Sequence, residues 1–109
     1  MRFVQTTRYL KDLKRLRASR DDIAEIEGAI ANNPFTGDVI PGLRGIRKLR
    51  FAIGNRGKRG GGRAVYFLML AEDTAVMLFA YAKNEKEDLS AAEKKSALAL
   101  ISEMLDGQE

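Results

Sequence analysis

The sequence predicts one α+β domain spanning residues 1–109, in the order β-α-α-β-β-β-α, with an antiparallel sheet whose helices pack on one side. Apolar residues recur with helical spacing in residues 7–31 and again near the C-terminus, whereas residues 46–82 alternate like strands or are almost entirely apolar. A chain of 109 residues with 45% hydrophobic residues is long enough for one modest core and short for two.

The N-terminal third predicts a strand followed by two helices. Residues 1–6 alternate as a strand does, and a helical hairpin follows. The apolar stripe of the first helix is Tyr9, Leu13 and Leu16, and that of the second is Ile23, Ile26 and Ile30. Ser19 can cap the second helix, which ends before Pro34 because proline disfavours helical geometry in the residue that precedes it.

Three strands and a final helix make up the rest of the chain. In the segment IRKLRFAI, which starts at Ile46, Lys48 and Arg50 share one face and alternate apolar residues share the other. The runs RAVYFLML and TAVMLFAYA are nearly all apolar, as expected for strands covered on both faces, and short links join the three as a meander. The motif SAAE, at residues 90–93, is a capping box that opens the last helix.

The absence of cysteine and histidine excludes several kinds of chemistry. Without cysteine there is no disulfide framework and no thiolate metal site. Without histidine there is no Ser-His-Asp triad, no His-ligated metal and no imidazole acid or base.

No apolar run approaches the roughly 20 residues that span a bilayer. Since the N-terminus also lacks the apolar segment of a secretory signal, we expect a cytoplasmic protein with no membrane partner.

Positive charge is concentrated in the middle of the chain. Residues 39–71 contain eight Lys and Arg and no acidic residue, although the net charge of the whole chain is only +4. Such segregation favours an anionic partner for this segment, with nucleic acid ahead of membrane. The alternative is a solvated basic face that acidic residues elsewhere balance.

The segment GNRGKRGGGR, at residues 54–63, could be a phosphate-binding loop, a disordered tract or a hairpin tip. Its glycines lack the P-loop spacing, and Arg59 stands where that loop needs Ser or Thr. A strand rather than a helix follows, which excludes a dinucleotide-binding loop, and a disordered tract would not normally lie between two apolar strands. We therefore expect a mobile, basic hairpin tip.

Arg63 opens the strand that follows this tip. In an antiparallel pair it could lie beside Lys48 and Arg50, and three cations on one sheet face would make a site for phosphate. Alternatively, Arg63 is a strand-end charge that pairs with Glu72 or Glu85.

The segment YAKNEKEDLS links the last strand to the last helix. Tyr81 and Lys83 share a strand face by parity. Lys83, Asn84 and Lys86 lie where a sheet ends and a helix begins, which is a common location for functional groups. The alternative is a charged loop exposed to solvent.

Three segments together, LRGIRKLRFA, GKRGGGRAVYF and FAYAKNEKEDLSAAEKK, resemble the RelE/ParE superfamily of bacterial toxins, in particular the HigB-like branch of RelE. The resemblance covers nearly the whole chain and implies a RelE-like fold. It implies the toxin of a type II toxin–antitoxin system, an endoribonuclease (mRNA interferase) that cuts mRNA on the translating ribosome and so inhibits translation. The implied reaction needs no metal and no cofactor, because the RNA 2′-hydroxyl attacks the adjacent phosphate. The implied partners are the ribosome with its mRNA and a cognate antitoxin encoded nearby, commonly a helix-turn-helix DNA-binding protein.

The resemblance also implies the residues of the site. By position, Lys48, Arg50, Arg63 and Lys83 match catalytic cations of RelE-type toxins, and Arg63 is assigned to the phosphate. Contacts to substrate or ribosome are expected from Arg47, Arg56, Lys58, Arg59, Asn84 and Lys86. This chemistry suits a chain without histidine. A lysine among arginines can exchange protons near neutral pH because like charges disfavour its protonated form, while an arginine stabilises the phosphorane.

The sequence departs from RelE at two positions. Asn84 stands where RelE has an arginine, and the region of Leu89 and Ser90 lacks the tyrosine that RelE has there. We therefore expect ribosomal RNA to complete the site and the isolated protein to cut free RNA poorly.

Two other functions remain open from the sequence. One is a ParE-like inhibitor of DNA gyrase with the same fold, since charge does not distinguish RNA from DNA-associated targets. The other is a non-catalytic RNA-binding module, which the small number of aromatic residues available for base stacking disfavours.

Overall fold

The computed structural model describes residues 1–54 and 61–106. Its elements are β1 (Arg2–Gln5), α1 (Thr7–Arg15), α2 (Arg20–Asn32), β2 (Asp38–Val39), β3 (Arg47–Phe51), β4 (Gly62–Met69), β5 (Thr74–Ala82) and α3 (Ala91–Asp106). A 3-10 turn joins β4 to β5. The predicted α+β class is confirmed, and the predicted element order holds apart from the two-residue strand β2.

The five strands form one mixed sheet in the order β1-β5-β4-β3-β2. Strands β2 to β5 pair antiparallel, as predicted, but β1 pairs parallel with β5 along residues 2–5 and 74–77. The prediction of a wholly antiparallel sheet is therefore wrong in its first strand. The two strands are far apart in sequence, so no local turn signal specifies how they pair.

Helices cover both faces of the sheet, and the prediction of helices on one side is wrong. Helices α1 and α2 pack on one face through Tyr9, Leu13, Ile26 and Ile30. Helix α3 packs on the other face, together with the loop that contains Ile40, Leu43 and Ile46. The physical reason is that every residue of β5 is buried. A strand that is apolar on both sides must be covered on both sides.

The expected local signals are present in the structure. Ser19 caps α2 in a reciprocal capping box with Asp22, and Ser90 forms the same arrangement with Glu93 at the start of α3. The start of β4 requires glycine, because a Cβ at Gly62 would lie 2.5 Å from the ring of Phe51 on β3. The cations Arg56, Lys58 and Arg59 lie outside the described residues.

A β-bulge in the β4–β5 pair decides which face the end of β5 presents. Val65 pairs with Phe79 but Tyr66 pairs with Met77, so Leu78 is an extra residue on β5. Leu78 and Phe79 therefore both belong to the core on the α3 side. The bulge reverses the alternation, and it places Tyr81 on the α3 face.

Candidate active site

A cavity of about 390 Å³ opens on the α3 face of the sheet, beside the ends of β3, β4 and β5. Four cations line it, which we call the cationic cluster: Lys48, Arg50, Arg63 and Lys83. Residues 38–41 form part of its wall, and Tyr81, Glu87 and Asp88 complete it from β5 and the loop that follows. The four residues predicted to be catalytic thus lie together around one space.

The register of the strands brings these side chains together. Arg50 pairs with Arg63, and Arg63 pairs with Tyr81, so the three form one row across β3, β4 and β5. Lys48 lies two residues before Arg50 and faces the same way. Beyond β5, the backbone N–H of Lys83 donates to the Gly61 carbonyl at 3.0 Å, which continues the pairing by one more step.

Arg63 is the most buried member of the cationic cluster, with 7% of its surface exposed. Its Nη1 donates to the Gly62 carbonyl at 3.0 Å, which fixes one side of the guanidinium. The two carboxylates considered from the sequence are not its partners. Glu85 binds Arg15 at 2.9 Å, and Glu72 lies beyond the far end of β4, about 20 Å of strand away from Arg63.

Among the residues that the structure describes, no contact ion pair neutralises the charge of the cationic cluster. Within residues 1–54 and 61–106, none of its four members has a carboxylate oxygen within 4.0 Å of a side-chain nitrogen. Asp88, on the cavity wall, pairs instead with Lys94 at 3.4 Å. The backbone N–H of Leu89, then Lys94 and Lys48, lower the pKa of Asp88, so it is ionised at neutral pH. Asp38, Glu87 and Asp88 also line the cavity, so its cations outnumber its carboxylates by one. The cationic groups that have no contact partner in the described chain can bind an anion.

Tyr81 is a cavity residue that the sequence prediction does not include. Its ring is buried, and Lys86 Nζ lies 5.3 Å from the ring centroid. Burial, followed by the charge of Asp88, raises the pKa of the phenol to about 12, although Arg63 acts in the opposite direction. The shared parity of Tyr81 with Lys83 was the sequence signal that could have identified it.

Three residues predicted to contact substrate or ribosome lie outside the cavity. Arg47 points to the opposite face of β3, where its Nη1 donates to the carbonyl of Gly37 at 2.7 Å and its guanidinium stacks on Phe35. Asn84 lines a separate depression next to Arg15. Lys86 donates to both carboxylate oxygens of Glu93, at 2.6 and 2.7 Å.

A second group of charged residues follows the β1 edge of β5, and we call it the edge network. It consists of Arg8, Asp12, Arg15, Glu85, Lys86 and Glu93. Strand β1 ends opposite Met77, so the last residues of β5 have no strand partner on that side. The Asp12 carboxylate accepts from the Ala80 N–H at 3.0 Å, and Glu85 accepts from the Ala82 N–H at 2.9 Å. The edge network therefore replaces the missing strand.

Two features that would indicate other functions were not found in the part of the chain that the structure describes. Within it, no three acidic side chains are grouped closely enough to hold a metal ion. Of its helices, none is both long and apolar enough to cross a membrane.

A family model matches the chain over residues 2–109. The model describes the RelE toxin of the RelE/RelB toxin–antitoxin system. The match spans the sheet, the three helices and all four members of the cationic cluster. It also implies an antitoxin as partner. The chain therefore belongs to the RelE family of toxins from toxin–antitoxin systems.

Proposed function

We propose that this chain is a ribosome-dependent, metal-independent endoribonuclease that inhibits translation by cutting mRNA. The observation that carries the proposal is the convergence of Lys48, Arg50, Arg63 and Lys83 on one cavity without contact ion pairs among the described residues. Such a cavity favours a polyanion, and its concave shape suits a single phosphate with its two neighbouring riboses. We also propose that the chain belongs to the HigB-like branch of RelE toxins.

The proposed reaction is transesterification within the RNA strand. The 2′-oxygen loses its proton and bonds to the adjacent phosphorus, while the bond from phosphorus to the 5′-oxygen breaks and that oxygen gains a proton. The products are a 2′,3′-cyclic phosphate and a 5′-hydroxyl. Atoms and charge balance without a metal or redox partner.

The cavity residues divide this work by their chemistry. Arg63 is fixed by burial and by the Gly62 carbonyl, so its remaining donors can bind the phosphate oxygens and stabilise the phosphorane. Arg50, its cross-strand neighbour, adds a second guanidinium to the same row. Lys48 and Lys83 lie beside that row, and we assign the two proton transfers to them.

The other predicted contacts are assigned to the ribosome rather than to the chemistry. Asn84, Lys86 and Arg47 are partly or fully exposed outside the cavity, where they can meet ribosomal RNA. We assign the same role to Arg56, Lys58 and Arg59. The proposed antitoxin is a helix-turn-helix DNA-binding protein encoded nearby, and the proposed location is the cytoplasm.

The proposal is tested by inducing the protein in growing cells and mapping the 5′ ends of their mRNAs. An Arg63→Ala variant is the matched control. Cuts that keep the reading-frame phase and vanish in the variant are the expected result. Arrested growth with intact mRNAs and damaged DNA would instead indicate inhibition of gyrase. Normal growth after induction would indicate a non-catalytic RNA-binding module.

A further inference from the structure

The three tyrosines of the chain differ in how their buried hydroxyl groups are satisfied. Tyr66 donates to the Pro34 carbonyl at 2.8 Å and accepts from the Gly37 N–H at 3.0 Å. The hydroxyl groups of Tyr9 and Tyr81 are buried and have no hydrogen-bond partner within the described chain. A buried hydroxyl without a partner is unfavourable, so each of these two requires an explanation.

Tyr9 and Tyr81 lie in different surroundings. Tyr9 belongs to the closed core beneath α1 and α2, and it lines neither the cavity of the cationic cluster nor the depression beside Arg15. Tyr81 has 1% of its surface exposed, yet it lines the cavity of the cationic cluster. Because Tyr81 borders a space that a ligand can enter and Tyr9 does not, a ligand is a candidate partner for the hydroxyl of Tyr81 alone of the two.

The neighbours of Tyr81 restrict what that molecule can be. Arg63 is its cross-strand partner on β4, and the cavity wall carries the other cations together with the carboxylates of Asp38, Glu87 and Asp88. Because the two residues are cross-strand neighbours, a group that meets the Tyr81 hydroxyl can also reach the Arg63 guanidinium. An oxygen of a phosphate can accept from both at once, because each of its non-bridging oxygens has more than one acceptor position.

The orientation of the Tyr81 ring is fixed before any ligand binds. The ring is packed in the core on the α3 side, and Lys86 lies over it while Glu93 holds the Lys86 ammonium. The phenol is thus preorganised, which avoids the cost of ordering it at the moment of binding.

We propose that Tyr81 is a catalytic residue of this site, whose hydroxyl donates a hydrogen bond to a non-bridging oxygen of the phosphate that Arg63 also binds. This inference rests on the proposed cleavage of RNA for its catalytic consequence and on the cavity alone for phosphate binding. Since burial raises the pKa of Tyr81 to about 12, the phenol keeps its proton at neutral pH. It therefore acts as a donor and does not take the proton of the 2′-hydroxyl.

The test compares Tyr81→Phe with Tyr9→Phe. Both substitutions remove one buried hydroxyl without a partner and keep the ring, so both variants should fold as the wild type does. Cleavage of ribosome-bound mRNA in a translating extract should fall about tenfold to a hundredfold in Tyr81→Phe. It should stay at the wild-type rate in Tyr9→Phe. Equal rates in all three proteins would overturn a catalytic role for Tyr81.

Binding is measured separately, with an RNA dinucleotide whose first ribose carries a 2′-O-methyl group and so cannot be cut. In an NMR titration of protein labelled with ¹³C-tyrosine, the Cζ resonance of Tyr81 should shift to saturation while that of Tyr9 stays in place. Affinity should fall about threefold to tenfold in Tyr81→Phe. The wild-type titration needs no variant, so it remains decisive even if a substitution disturbs the fold.

These two measurements distinguish a failure of the inference from a failure of the proposed function. Binding that depends on Tyr81, in a protein that never cuts mRNA, would keep the phosphate contact and reject the nuclease. Cleavage that is indifferent to Tyr81→Phe would keep the nuclease and reject the inference. A Tyr81 resonance that does not move on addition of the dinucleotide would also reject it.

Discussion

The edge network and the cationic cluster lie on opposite sides of the end of β5 and balance their charge in opposite ways. In the edge network every carboxylate meets a cation, and two of its carboxylates also satisfy backbone N–H groups of β5. In the cationic cluster four cations share one cavity, and none has a contact ion pair within the described chain. The first arrangement completes the fold, whereas the second leaves charge available for a ligand.

The difference shows that the number of charges in a segment does not identify a functional site. Lys83 and Lys86 come from the same loop, and both were predicted from the sequence to be functional. Lys86 is held by Glu93, whereas Lys83 faces the cavity. We therefore expect substitutions in the cationic cluster to reduce activity without loss of stability. Substitutions in the edge network should reduce stability without loss of activity.

The largest effect is expected from Arg63→Ala. Loss of the guanidinium removes the fixed donors to the phosphate, so the rate of mRNA cleavage on ribosomes should fall about 10³-fold. The matched control is Arg20→Gln, which removes an exposed cation at the start of α2, on the other side of the sheet. Similar cleavage rates for Arg63→Ala and Arg20→Gln in a translating extract would contradict a role of the cationic cluster in cleavage.

The next effect is on stability, from Asp12→Ala in the edge network. Asp12 has 1% of its surface exposed and accepts from Arg8, Arg15 and the Ala80 N–H. Its removal leaves a buried N–H without an acceptor and takes from Arg8 and Arg15 one of the two carboxylates that each contacts, so the free energy of unfolding should drop by about 3 kcal/mol. Urea unfolding measures this drop.

Asp21→Ala is the control for that experiment, because Asp21 is an exposed acid in the first turn of α2. Its loss should cost no more than about 1 kcal/mol through the helix dipole. A similar cost for both variants would mean that the edge network does not replace the missing strand.

The side of the sheet on which Lys48, Arg50 and Arg63 meet could be predicted from the sequence. Alternation along a strand places Lys48 and Arg50 on one face, and the antiparallel register then sets Arg63 beside Arg50. These rules use only local spacing. They therefore hold wherever the strand is regular.

Two features could not be predicted in this way, because each depends on contacts distant in sequence. The bulge at Leu78 reverses the alternation of β5, so counting from the start of that strand would place Tyr81 under α1 and α2. The parallel pairing of β1 with β5 is set by the whole sheet. Packing of helices on both faces of the sheet could have been predicted, since the apolar runs of β4 and β5 require both faces to be covered.

A third effect comes from Lys48→Met, which removes one proposed proton-transfer group. Cleavage should fall about a hundredfold. Stability should stay the same or rise by about 0.5 kcal/mol, since one cation leaves a group of like charges. Lys95→Met, an exposed change on α3, is the control for both measurements. A Lys48→Met protein that is less stable than wild type would contradict the separation of the two regions.

The smallest effect is expected from Glu93→Gln, and it changes how stability depends on pH below 4.5. Burial disfavours ionisation of Glu93, but hydrogen bonds from Lys86, the Ser90 N–H and Arg8 outweigh it and lower the pKa from 4.5 to about 2. Because the pKa is lower in the folded state, the stabilisation is present above pH 4.5 and is lost as the pH falls towards 2.

Glu93→Gln should therefore lower the free energy of unfolding by about 1 kcal/mol at neutral pH. Between pH 4.5 and 2 the variant should lose less stability than the wild type does, as measured by thermal unfolding across that range. Glu103→Gln, an exposed change on the same helix, should keep the wild-type acid dependence. If the stability of Glu93→Gln fell with pH as that of the wild type does, the contacts of Glu93 would not stabilise the folded chain. The edge network would then not have the stabilising role that separates it from the cationic cluster.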